Sequence, residues 1–170
     1  MFFPLIIYRQ VITGSFRRMN FTKRNINRFL LLKLPSAYFT GIRLESLSDE
    51  TAVTRVTHRW INGNPFRSLY FGVQAMAAEI ATGVLVLREI HRHGKPVSML
   101  VTRQSAVFVK KAKGTVRFIC REGGKVQQAV AEALHSGEGQ VIILRAYGTD
   151  RAGDTVSEFE FEWSIKSKTP

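Results

Sequence analysis

One cysteine in 170 residues, Cys120, excludes an intrachain disulfide framework and any zinc site built from cysteines. Such sparing use fits a reducing compartment, and a cytoplasmic location is expected. In the run TVRFICRE, Cys120 alternates with Phe118 and Val116, the pattern of an inward-facing strand residue. Acidic residues are also scarce, 13 against 25 lysines and arginines, for a formal net charge of +12. The shortage is uneven. Residues 1–33 contain Arg9, Arg17, Arg18, Lys23, Arg24, Arg28 and Lys33 and no acid, which leaves 18 bases and 13 acids for the rest. The basic excess therefore belongs to a leader, and no sheet face interleaves aromatic with basic residues, so no nucleic-acid partner is expected. The opening MFFPLII is too short an apolar run to span a bilayer, so no stable membrane insertion is expected. It also lacks the flanks of a secretory signal. An arginine-rich, acid-free start resembles an organelle transit peptide. The preferred reading is a disordered or loosely attached basic extension over residues 1–20, followed by one domain over 21–170. Four histidines without ligand spacing give no metal site, and no phosphate loop, dinucleotide fingerprint or nucleophile elbow is present.

What the chain does have is one long helical pattern, NPFRSLYFGVQAMAAEIATGVLVLREIHRHG, over residues 64–94. A helix over residues 68–91 would run for roughly 35 Å, enough to cross a whole sheet. Its first half is small (Gly72, Ala75, Ala77, Ala78, Ala81, Thr82, Gly83) and its second half apolar (Val84, Leu85, Val86, Leu87). Apolar residues nearly all the way round predict burial on most sides. Glu79 is the one carboxylate in its middle.

Around it the spacing predicts a short amphipathic helix over 25–34, capped by Asn25 and stopped by Pro35, then a hairpin of strands over 42–48 and 51–60. Asn64 is the candidate cap of the long helix, with Pro65 in its first turn. After the break at residues 93–96 come strands over 97–110, 114–122, 140–149 and 155–165, with a helix between the second and third of these. The stretches 112–114 and 151–153 read as hairpin turns. The last strand alternates Val156, Phe159, Phe161, Trp163 and Ile165 against serines and glutamates, one face buried and one acidic. The fold class expected is α+β, a single curved antiparallel sheet wrapping one central helix.

That order resembles the hotdog fold of acyl-CoA thioesterases, and NPFRSLYFGVQAMAAE is similar to the thioesterase stretch in which an asparagine precedes a His-Gly-Gly turn and an acid follows on the helix. Within the superfamily the match is closest to the thioesterase-like DUF4442 group, which VFVKKAKGTVRF at 107–118 also resembles as a strand pair joined by a turn. The resemblance covers about residues 25–166. It implies a homodimer or homotetramer, sheets continuing across the interface, active sites between subunits, and an acyl thioester, usually acyl-CoA, as substrate. Coenzyme A enters as part of the substrate and no separate cofactor is implied. Position by position, Glu79 matches the catalytic carboxylate, Gly72 the glycine whose N–H holds the thioester oxygen, and Asn64 the loop asparagine. The chain departs from the pattern at Tyr70, where the family often has histidine, and at Phe71, where it has the first glycine.

Thioester hydrolysis needs an activated water or a carboxylate nucleophile, and donors where charge develops on the carbonyl oxygen. Glu79 can serve as base or nucleophile, and burial would raise its pKa and suit it as a base near neutrality. The competing structural reading ties Glu79 to an arginine, Arg59 or Arg103, across the dimer. Tyr70, Phe71 and Thr82 are the expected wall of the substrate site, with His58 at its edge. Lys110, Lys111 and Lys113 would meet the phosphates of coenzyme A, or simply form a solvated turn. The alternative function is a non-catalytic acyl-binding or scaffold module on the same fold.

Overall fold

The computed structural model describes residues 20–168, so the reading of the basic leader lies outside the described residues. Element order is α1 (Lys23–Lys33), α2 (Pro35–Phe39), β1 (Arg43–Leu47), β2 (Ala52–Thr57), a 3-10 turn (Trp60–Asn62), α3 (Phe71–His93), β3 (Val97–Phe108), β4 (Thr115–Cys120), α4 (Gly123–Ser136), β5 (Gln140–Thr149) and β6 (Thr155–Ser167). The strands form one sheet in the order β1-β2-β4-β5-β6-β3. Every neighbouring pair is antiparallel. This is the hotdog fold, a curved sheet closed around α3.

The long helix is held by the size of its residues. Ala77, Ala78, Ala81, Thr82 and Gly83 are buried, and these short side chains let the sheet approach the helix backbone. Thr54 of β2 closes that contact by donating its hydroxyl to the Ala77 carbonyl at 2.7 Å. Bulkier Val84, Leu85 and Val86 fill the far half. Gly94 stops the helix in the left-handed conformation at φ 64°, which a side chain resists. In β6 the alternation turns Phe159, Phe161, Trp163 and Ile165 inward. Cys120 is fully buried, and desolvation pushes its thiol up to about 12, so it is an unreactive core residue.

Two local expectations are corrected. The cap of α1 is Thr22, whose hydroxyl accepts from the Asn25 N–H at 3.3 Å, so the helix starts earlier and contains Asn25. The stop at Pro35 holds, since α1 ends at Lys33 with Leu34 as its C-cap, and Pro35 then opens α2 at its first position, where its missing N–H costs nothing. Residues 112–114 are not a hairpin turn. β3 pairs with β6 at the sheet edge, whereas β4 lies between β2 and β5, so the chain must cross the sheet end to connect them. The crossing segment is fixed by Val109 N–H to the Val156 carbonyl (2.9 Å), Leu69 N–H to the Ala112 carbonyl (2.8 Å) and His58 N–H to the Gly114 carbonyl (2.7 Å). Short-turn logic missed this because the turn residues there serve a crossover.

Candidate active site

The crossover and the segment leading into α3 enclose a groove of about 810 Å³ at the helix N-terminus. Its lining is mostly apolar, with Phe66, Leu69, Tyr70, Phe71, Phe108 and Val109 around Asn64 and Gln74. Asn64 does not cap α3, whose N-cap residue is Tyr70. Its Oδ1 instead accepts from the N–H groups of Phe66 (3.0 Å) and Ser68 (3.2 Å) and from the Ser68 hydroxyl (3.2 Å). The loop explains the difference: six residues, 65–70, stand between Asn64 and the first helical residue, Phe71, too many for a cap. Asn64 therefore shapes the groove wall, with its carbonyl oxygen already occupied.

At the helix start, the space a Cβ on Gly72 would take lies 2.9 Å from Cε1 of Tyr70. The Tyr70 ring thus lies across Gly72, where the family pattern places the thioester oxygen. Phe71 lies beside Tyr70, tilted at 55° with 4.7 Å between ring centroids, and stands half out in solvent. A side chain at Gly72 would have to displace the half-exposed Tyr70 ring.

Glu79 sits two turns further along the same helix face, about 10 Å from Gly72 at 1.5 Å per residue. Among the described residues its carboxylate has no hydrogen bond and no ion pair, and neither Arg59 nor Arg103 reaches it within the protomer. Desolvation alone raises its pKa from 4.5 to about 7. The desolvating wall is identifiable. A Cβ on Gly83 would lie 3.1 Å from Cη2 of Trp163 and 3.4 Å from Oε1 of Glu79, so the indole and the carboxyl meet over a glycine. Trp163 is buried and donates its Nε1–H to the Thr82 hydroxyl at 3.1 Å, which in turn donates to the Glu79 carbonyl at 2.9 Å. Thr82 is fully buried. Its hydroxyl is spent between helix and sheet, which places it behind Glu79 and not in the substrate wall.

His58 lies at the groove edge, with Nε2 2.9 Å from where a Gly63 Cβ would be. Lys110 bonds Asp150 and Asp154, each at 2.7 Å, and these carboxylates raise its pKa. Its charge is therefore offset, while Lys111 and Lys113 are exposed and make no ion pair among the described residues. No group of three potential metal-ligating side chains occurs among the described residues.

Two site residues escaped the sequence reading. Gln74 is buried under the groove, donating to the Leu69 carbonyl at 3.1 Å and accepting from the Ser157 hydroxyl at 2.9 Å. A glutamine inside an otherwise apolar helix was its only signal. The alternation of β6 marks Trp163 as core, and only its position over Gly83 brings it to the side of Glu79.

Comparison with known proteins bears on this geometry in three ways. The profile of a domain family of unknown function, DUF4442, matches residues 22–165. A Pseudomonas aeruginosa protein of unknown function described as a probable thioesterase shares the fold at a TM-score of 0.71, with 23% identity over 86% of this chain and 97% of its own. A Haemophilus influenzae thioesterase superposes at 0.66, with 13% identity over 90% of this chain and 96% of its own. A second Pseudomonas aeruginosa thioesterase, carrying a glutamine-to-alanine substitution, gives 0.66 at 14% identity over 88% and 97%. No curated protein matches the chain.

Proposed function

Because the chain belongs to the DUF4442 family, we propose that it is a metal-independent acyl thioester hydrolase, acting on acyl-CoA, with Glu79 as its base. The observation that carries this reading is the unpartnered, desolvated Glu79 carboxylate in the middle of an otherwise apolar helix. A pKa of about 7 leaves a carboxylate that is both substantially ionised near neutrality and basic enough to take a proton from water. That water attacks the thioester carbonyl, the C–S bond breaks, and the thiolate leaves with the proton to give acid and free thiol. The solved neighbours called thioesterases support the reaction class by fold.

Glu79 and the groove are separated within one protomer, and that supports a homodimer. β3 is twelve residues long, has one sheet neighbour among the described residues and is exposed along most of its length. On α3, Gly72, Ala75, Met76 and Glu79 stay half-buried on one side. A second copy added at this edge would extend the sheet and cover that helix face, and the substrate would lie between subunits, its nucleotide phosphates toward Lys111 and Lys113. Buried Cys120 is compatible with a cytoplasmic setting.

A specific observation favours the alternative, an acyl-binding module without catalysis: the Tyr70 ring lies over Gly72. Hydrolysis of a panel of acyl-CoAs by wild type and Glu79→Gln separates the two. Catalysis predicts a rate loss of about 10²–10⁴-fold for Glu79→Gln with the fold intact. An unchanged rate removes Glu79 from the chemistry, and binding without turnover in wild type establishes the alternative.

A further inference from the structure

The turn before α3 presents large apolar side chains to water, and its backbone is too well fixed for this to be slack. Asn62 is almost completely buried and donates to the carbonyls of Thr40 (2.8 Å) and Thr57 (2.9 Å) while accepting from the Arg59 N–H (2.7 Å). Tyr70 N–H returns to the Asn62 carbonyl at 2.9 Å. On this frame Trp60 is 95% exposed, Ile61 57% and Phe66 71%. The Thr40 contact brings in the end of α2, where Phe39 is 66% exposed. Exposed apolar tips clustered in one place mark a docking surface.

The charge around these tips restricts the partner. Arg59 and Arg67 are exposed within the same turn. Residues 51–78 and 90–121 contain no aspartate or glutamate, and the leader through residue 33 contains none either. An isologous pairing of this face with a second copy would oppose arginine to arginine. A surface that accepts tryptophan and phenylalanine tips and is itself negative meets both features, and an anionic bilayer is such a surface.

We infer that this turn is a peripheral membrane-docking site, seating Phe39, Trp60, Ile61 and Phe66 in the interfacial layer of an anionic bilayer with Arg59 and Arg67 on headgroups. Phe66 belongs both to this surface and to the groove wall, so the groove opens beside the docked face. The inference stands independently of hydrolysis, since it concerns association and not turnover.

The full chain is tested by co-sedimentation with phosphatidylcholine vesicles, with and without phosphatidylglycerol. Binding is expected only when phosphatidylglycerol is present and is expected to weaken with salt. Trp60 emission is expected to shift to shorter wavelength on binding. The Trp60→Ser/Phe66→Ser variant, altered only at exposed tips, is expected to melt like wild type and lose at least about tenfold in bound fraction. Arg59→Glu/Arg67→Glu is expected to lose the preference for phosphatidylglycerol. The inference is overturned if the full chain ignores anionic vesicles, or if the tip variant binds them as wild type does. A tip variant that instead converts a dimer into a monomer on gel filtration assigns the face to a second copy and overturns it equally.

Discussion

A half-buried carboxylate without a partner among the described residues stabilises nothing in the fold, and that is what makes Glu79 informative. Its folded-state pKa of about 7 lies above the ordinary 4.5, so the native state binds the proton more tightly than the unfolded chain. The favourable contribution is complete below pH 4.5 and is lost as pH rises through about 7. The full loss is at most roughly 3.5 kcal/mol at 1.36 kcal/mol per pKa unit. Glu79→Gln, which cannot ionise, should therefore gain stability relative to wild type as pH rises from 5 to 8 in urea melts, about the reverse of its effect on activity. A difference between the two proteins that does not vary with pH would show that Glu79 is solvated. The indole beside it gives a second reading of the same event. In a Trp60→Phe background only Trp163 emits, and its emission should titrate with a midpoint near 7 that vanishes in Glu79→Gln. At this scale the sequence was informative about Glu79, because one acid among alanines and glycines stands out. It was silent about Trp163 and Gly83, whose meeting depends on the register between helix and sheet.

At the scale of elements, the packing of α4 against the β1–β2 turn depends on a glycine that no local pattern distinguishes from a cap. A Cβ on Gly123 would come within 2.0 Å of the Asp49 carbonyl oxygen and 2.5 Å of the Glu50 Cα, both backbone atoms that cannot swing aside. The Gly123 N–H is also bonded to the Glu50 carbonyl at 3.0 Å. Gly123→Ala should cost at least about 2 kcal/mol, seen as a lower Tm, by prising the start of α4 from the turn. An unchanged Tm would mean that the two elements separate freely. This contact shows why elements were easier to read than their partners. Alternation along β6 and the apolar run of α3 are local, so both were visible. The crossover after β3 was not, because a lysine- and glycine-rich stretch has the same composition whether it joins neighbouring strands or carries the chain across the sheet. The same limit applies to Asn64, whose residue type suits a cap and whose distance from Phe71 is settled by the loop.

For the whole molecule, the edge at β3 decides whether the groove and Glu79 work together. An unpaired edge strand of twelve residues invites pairing, and proteins that leave one usually cover it or charge it. β3 is weakly charged: Arg103 is its one ionic residue. Its inner face, with Met99, Val101 and Ala106 packed only partly against the core, continues the half-buried side of α3. A second copy would satisfy the open backbone groups and remove this apolar strip from water in one step. Wild type should accordingly run at twice the 19.3 kDa chain mass in light scattering. Ala106→Lys, which places a charge on the strip opposite Phe159, should shift the protein to monomer and abolish turnover together, with circular dichroism checking that the fold is kept. A monomer that retains full hydrolysis would show that each protomer carries a complete site. A wild type already monomeric would place catalysis, if assayed, within the groove and α3 of one chain. The joint loss is the outcome the geometry favours, because in a single copy Glu79 does not line the groove, lying about 7.5 Å of helix beyond Gln74 in its wall.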